Sequence, residues 1–109
     1  MLRRGRSTMA RSGNPVALRF GRNLAAARRR SGYSQEEVGV RASLHRTEIG
    51  LLERGERVPR IDTAVKLAGS VDASIAELFE GIDWTPGMAQ RGSFSLSADA
   101  DRRDGQDVR

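Results

Sequence analysis

The chain has no cysteine, a single histidine and a single lysine among its 109 residues, and aromatic side chains make up only 5% of it. Without cysteine there is no disulfide framework, and His45 alone cannot complete a Cys/His zinc site within one chain. No metal or other cofactor is expected, and a reducing, cytoplasmic setting fits best. Long apolar runs are lacking too. Each hydrophobic stretch is short and interrupted, and the opening "MLRRGRSTMARSGN" has no apolar segment of signal-peptide length after its arginines. Neither secretion nor a membrane partner is expected. Catalytic constellations are also missing: there is no phosphate-cradling glycine loop, no His/Cys cluster and no pair of carboxylates beside a base. An enzyme is not expected.

Acid is absent from the first third. Residues 1–35 hold nine arginines (Arg3, Arg4, Arg6, Arg11, Arg19, Arg22, Arg28, Arg29 and Arg30) and no Asp or Glu, so all fourteen acids come later, within a net charge of +5. A basic head attracts polyanions, which leaves nucleic acid, anionic lipid and an acidic protein as candidate partners. A chain of this length allows one small domain.

Residues 1–14 are rich in Arg, Ser and Gly without periodicity and read as a disordered basic arm. Order is expected from Asn14-Pro15, where Asn can cap and Pro suits the first helical position. Phe20, Leu24, Ala27 and Arg28 then share one helical face, and Ser31-Gly32 marks the end. "SQEE" from Ser34 is a capping box opening a second helix, about Gln35 to Ala42, with Val38 and Ala42 on its apolar side. After a break at Ser43-Leu44, a third helix, His45 to Arg54, buries Ile49 and Leu52 and stops at Gly55, suited to a left-handed cap. Pro59 keeps "ERVPR" a loop. Ile61, Ala64, Leu67, Ala68 and Val71 recur at helical spacing, and Ser74 with Glu77 makes another capping box before a short last helix containing Ile75, Leu78 and Phe79. The expected fold is all-α, a compact five-helix bundle over residues 15–81. Residues 82–109 form a C-terminal extension. In it "IDWT" and "SFSLS" alternate with period two, which predicts a small β-hairpin over 82–97, followed by a disordered polar end.

Residues 35–54 resemble the helix-turn-helix of the Xre family, the phage repressor and Cro group, and the likeness runs over roughly residues 18–80. It is carried by the "SQEE" entry, Val38, Gly39, Leu44, Ile49, the "LLERGERVP" exit and "IDTAVKLAGSVDASIAELF". The resemblance implies a lambda-repressor-like DNA-binding domain whose second helix braces on the DNA backbone while the third enters the major groove. Two positions depart from the pattern. Ser43 stands where glycine is usual, and a positive φ there costs on the order of 1 kcal/mol. Gly39 stands where alanine is usual and permits closer packing of the second and third helices.

At about 100° per residue, Thr47 and Leu51 lie about 160° from buried Ile49 and Arg54 about 140°, so these three form the outward stripe of the third helix. His45 and Arg46 stand at its N-terminal end, where family members place base contacts. His45 also occupies the place of a capping Ser or Thr. His45, Arg46, Thr47 and Leu51 are the candidate base-facing set: Arg46 suits guanine O6 and N7, Thr47 can donate, accept or touch a thymine methyl, and Leu51 offers apolar contact. Ser34 and Gln35 at the start of the second helix, with Arg54, Arg57 and Arg60 around the following loop, are the candidate phosphate contacts. Arg28 and Glu53 sit on core-facing sides, and the resemblance implies a mostly buried structural ion pair between them.

The expected partner is double-stranded DNA, read as a short pseudo-palindromic operator by a homodimer, with Leu78, Phe79 and Trp84 as candidate dimer contacts. The function expected is a sequence-specific transcriptional regulator. Two alternatives stand beside it: an antitoxin that binds a toxin partner through its tail, and a scaffold that keeps the fold without reading DNA.

Overall fold

The computed structural model describes residues 14–88 and 91–97. The expectations for the basic arm and for the polar end fall largely outside these residues. Among the described residues five helices precede a two-stranded ribbon: α1 (Pro15–Ser31), α2 (Gln35–Ala42), α3 (Arg46–Glu53), α4 (Ile61–Ser70), α5 (Ile75–Leu78), β1 (Ile82–Thr85) and β2 (Ser93–Leu96). The chain is mostly helical, as expected, and the hairpin expected over 82–97 is present: β1 and β2 pair antiparallel with Ile82 opposite Leu96 and Trp84 opposite Phe94. Among the described residues no helix is long and apolar enough to cross a membrane.

Local chemistry sets the helix ends. The Asn14 side chain accepts the Ala17 amide at 2.9 Å and Pro15 opens α1, while Gly32 closes it at φ 84°. The capping box of α2 is complete, with the Glu37 amide on Ser34 Oγ at 3.0 Å and the Ser34 amide on the Glu37 carboxylate at 2.7 Å. Ser43 does adopt the left-handed conformation, at φ 61°, so the turn keeps the geometry usual for glycine with a serine in it. Gly39 is required by that turn, since a Cβ would stand 2.6 Å from the Leu44 carbonyl oxygen. The box expected at α5 is only half formed. Ser74 Oγ accepts the Glu77 amide at 3.0 Å, but the Glu77 carboxylate turns to Arg30 on α1 instead of back to Ser74.

The core is drawn from all five helices: Phe20, Leu24 and Ala27 of α1, Val38 and Ala42 of α2, Ile49 and Leu52 of α3, Ala64, Leu67 and Ala68 of α4 with Val71 after it, and Leu78 of α5. Each fully buried Leu, Ile or Phe contributes roughly 1.5–3 kcal/mol by removal from water. Ile61, expected on the buried face of α4, is 85% exposed. Helical spacing gives an angle around the axis, and the first turn of α4 has that angle without anything lying over it. Phe79 is half-way between the two states, 39% exposed with its ring 5.3 Å from that of Phe20.

Two buried polar side chains join distant parts of the chain. Asn23 donates to the carbonyls of Leu78 and Glu80 at 2.9 Å each and so satisfies the end of α5. Arg19, 8% exposed, gives its guanidinium to the Ser97 carbonyl, and the Ser97 amide bonds Gly81 at 2.8 Å. These bonds fasten the ribbon to α1.

Candidate nucleic-acid interface

The α3 helix is held from behind and free in front. Ile49 and Leu52 are fully buried, and Glu53 binds Arg28 of α1 through two bonds, Nε to Oε2 at 2.5 Å and Nη2 to Oε1 at 3.1 Å. Arg28 also donates to the Tyr33 carbonyl at 3.0 Å. The side chains of this pair are only 14% and 7% exposed, and the bond to Glu53 raises the Arg28 pKa above its ordinary value against the opposing effect of burial. The carboxylate serves a second helix as well, because Gln35 Nε2 of α2 donates to Glu53 Oε1 at 2.9 Å. One buried acid thus fixes α1, α2 and α3 together.

A further device sets the distance between α1 and α3. A Cβ on Gly21 would lie 2.3 Å from the Leu52 carbonyl oxygen and 2.5 Å from that of Glu53, closer than any side chain tolerates. The helices cross at this glycine. Sequence reasoning passed over Gly21, although a glycine between buried Phe20 and Leu24 in mid-helix is the available signal.

The front of α3 presents His45, Arg46 and Thr47, all exposed, at its N-terminal end. His45 lies just before the helix rather than in it, and its Nδ1 accepts the Thr47 amide at 3.0 Å, which makes it the N-cap. Arg54 is the C-cap, so the helix is one residue shorter at each end than its periodicity suggests. Leu51 departs from expectation: it is half-buried rather than fully exposed. Gly50 is buried, and a Cβ there would meet Arg54 Nη1 at 3.1 Å and Gln35 Oε1 at 3.7 Å. The glycine leaves room for the two side chains that border the front of the helix.

Each exposed arginine of this surface is matched with an acid. Arg57 makes two 3.0 Å bonds to Glu48, Arg54 pairs with Glu56 at 3.2 Å, Arg60 with Asp62 at 3.3 Å and Arg46 with Glu36 at 3.7 Å. Sequence reasoning placed the arginines but not their partners. Exposed pairs of this kind are worth about 0–1 kcal/mol, so the acids hold these arginines only weakly.

A model of the helix-turn-helix domain family matches residues 19–78. The chain belongs to the helix-turn-helix family. Its motif is of the Xre/Cro type, the DNA-binding, transcription-regulating group that residues 35–54 resemble. This helix-turn-helix protein is 39% identical over 66 residues to an uncharacterized HTH-type transcriptional regulator, y4dJ, of Sinorhizobium fredii, covering 61% of the chain and 86% of that relative. Among solved structures, the restriction-modification controller protein C.AhdI of Aeromonas hydrophila superposes with a TM-score of 0.56 at 35% identity, over 58% of this chain and 96% of its own. The clp gene regulator ClgR of C. glutamicum shares the fold, with a TM-score of 0.56 at 19% identity over 58% of this chain and 82% of its own.

Proposed function

We propose that the protein is a sequence-specific transcriptional regulator that inserts α3 into the major groove of a short pseudo-palindromic operator and binds as a homodimer. The observation that carries this reading is the division of α3 into a locked rear (Ile49, Leu52, Glu53) and an open front led by His45, Arg46 and Thr47. Arg46 and Thr47 read base edges, with His45 beside them and Leu51 contributing apolar contact from its half-buried position. Ser34 and Gln35 approach a phosphate at the start of α2, where free amides and the helix dipole favour an anion. Gln35 can do so while holding Glu53, because its amide nitrogen has two hydrogens and the bond to Glu53 uses one. Arg54, Arg57 and Arg60 exchange their acids for backbone phosphates.

Selection of bound duplexes from a random pool, repeated at two salt concentrations, tests the reading. A palindromic consensus with a steep negative salt slope supports it, whereas binding without sequence preference reduces the protein to a general polyanion binder. Arg46→Ala should lose about 1–3 kcal/mol at one base position of that consensus and little elsewhere. An Arg46→Ala protein with the wild-type consensus and affinity points to the non-reading scaffold.

The acid partners give a second expectation. Glu48→Gln releases Arg57 and removes a negative charge from a surface that meets phosphates. Operator affinity should rise about tenfold, or ~1.4 kcal/mol, in low salt and the gain should shrink as salt screens it. Titration of a labelled operator measures this, and an unchanged or weakened affinity would place Arg57 away from the backbone.

The antitoxin alternative depends on a tail that orders only with a second protein. The pairing of β1 with β2 inside this one chain favours the regulator reading over it.

A further inference from the structure

Side chains two apart on a strand share a face. In the ribbon this puts Ile82, Trp84, Phe94 and Leu96 on one face and Asp83, Thr85, Ser93 and Ser95 on the other. The division is complete: one face is wholly apolar and the other wholly polar. A ribbon with this pattern has a side meant to be covered, and two strands alone are marginal in water. Only the inner end is covered. Ile82 packs against the core, and β2 is fastened to α1 through Arg19. At the outer end Trp84 and Phe94 are each 54% exposed.

These rings are nevertheless set in place. Their centroids lie 4.9 Å apart in an edge-to-face arrangement, and the indole lies so close over Gly92 that a Cβ there would be 2.2 Å from it. Ordered, uncovered aromatics are surface already prepared for contact, with little rotamer freedom left to lose.

We propose that this aromatic face docks a second copy of the same chain, with the two Trp84–Phe94 pairs meeting across a two-fold axis. The inference deepens the homodimer reading above and rests on it. Charge and area identify the occupant. About a two-fold axis each patch meets itself, so any charge on it would face its own like, and copies of a chain with net charge +5 repel already. The apolar face of the ribbon carries no charged side chain. With whole-residue areas of roughly 200 Å², the exposed fractions of Trp84, Phe94 and Leu96 leave roughly 290 Å² on this face per copy. Homodimer interfaces are about 65% apolar, so this face implies roughly 440 Å² per copy, the size of a weak and reversible contact.

Trp84 is the only tryptophan of the chain and therefore a direct reporter. In the absence of DNA, sedimentation of the full chain over a dilution series should show a dimer dissociating, and tryptophan emission should shift to the red over the same concentrations. Trp84→Lys should weaken self-association by at least about tenfold with the helical circular dichroism unchanged, whereas Ser95→Lys on the polar face should leave it as in the wild type. A chain that stays monomeric throughout, or one that dissociates without any change in tryptophan emission, overturns the proposal. So does a Trp84→Lys protein that associates like the wild type. None of these readings uses DNA, so a failure here is separate from failure of operator binding, which Arg46→Ala reports.

Discussion

Arg28→Met should lower the free energy of unfolding by about 3–5 kcal/mol. The side chain of Glu53 is only 7% exposed, and the guanidinium supplies two of its bonds. Removing Arg28 strands a mostly buried carboxylate with the Gln35 amide as its remaining hydrogen-bond donor among those described, and it also takes the donor from the Tyr33 carbonyl. For a domain of this size each kcal/mol is about 4–8 °C of melting temperature, so the loss should exceed about 10 °C. A companion variant separates the stranded charge from lost packing. Arg28→Met combined with Glu53→Leu removes both charges and should recover most of the loss, since an apolar replacement of a whole buried pair is often neutral. Urea unfolding of the three proteins measures this, and an Arg28→Met protein that melts like the wild type sinks the assignment. The effect should not vary with pH near neutrality. The folded-state pKa of Arg28 is raised, so its stabilisation is fully present below the ordinary guanidinium value and is lost only as pH climbs through the raised one.

Gly21→Ala should cost on the order of 3 kcal/mol, at the upper end of what overpacking usually costs. The added methyl would stand 2.3 Å and 2.5 Å from two carbonyl oxygens of α3, which are backbone and cannot swing aside as a side chain tip can. Relief requires α3 to move from α1, and α3 is the helix proposed to enter the groove. Operator affinity should therefore fall even at temperatures where the variant is fully folded. Gly69 in α4 is the control, since a Cβ there meets nothing within 4 Å. Gly69→Ala should stabilise by about 0.5–1 kcal/mol through helix propensity alone. If Gly21→Ala unfolds at the same denaturant concentration as Gly69→Ala, the close crossing of α1 and α3 is not real.

What the sequence discloses here is what depends on neighbours a few residues away. Asn14, Ser34 and Gly32 act through bonds spanning one helical turn, and the alternation of "IDWT" and "SFSLS" is a two-residue pattern, so each can be read without the fold. The resemblance to known repressors extends this to one distant pair, Arg28 with Glu53. Other long-range contacts leave no local mark. Asn23 reaches the end of α5, Arg19 reaches Ser97, and Glu77 leaves its own helix for Arg30. Periodicity also errs in a consistent way. It assigns Ile61 inward and Leu51 outward from angle alone, whereas exposure depends on what lies over each turn along the axis.

The bond from the Thr47 amide to His45 Nδ1 fixes which ring nitrogen carries the proton. A nitrogen that accepts has no hydrogen of its own, so in the neutral imidazole the hydrogen belongs to Nε2. The edge turned outward is then a donor only. It suits purine N7, guanine O6 or a phosphate oxygen, and it is mismatched to the amino groups of adenine and cytosine.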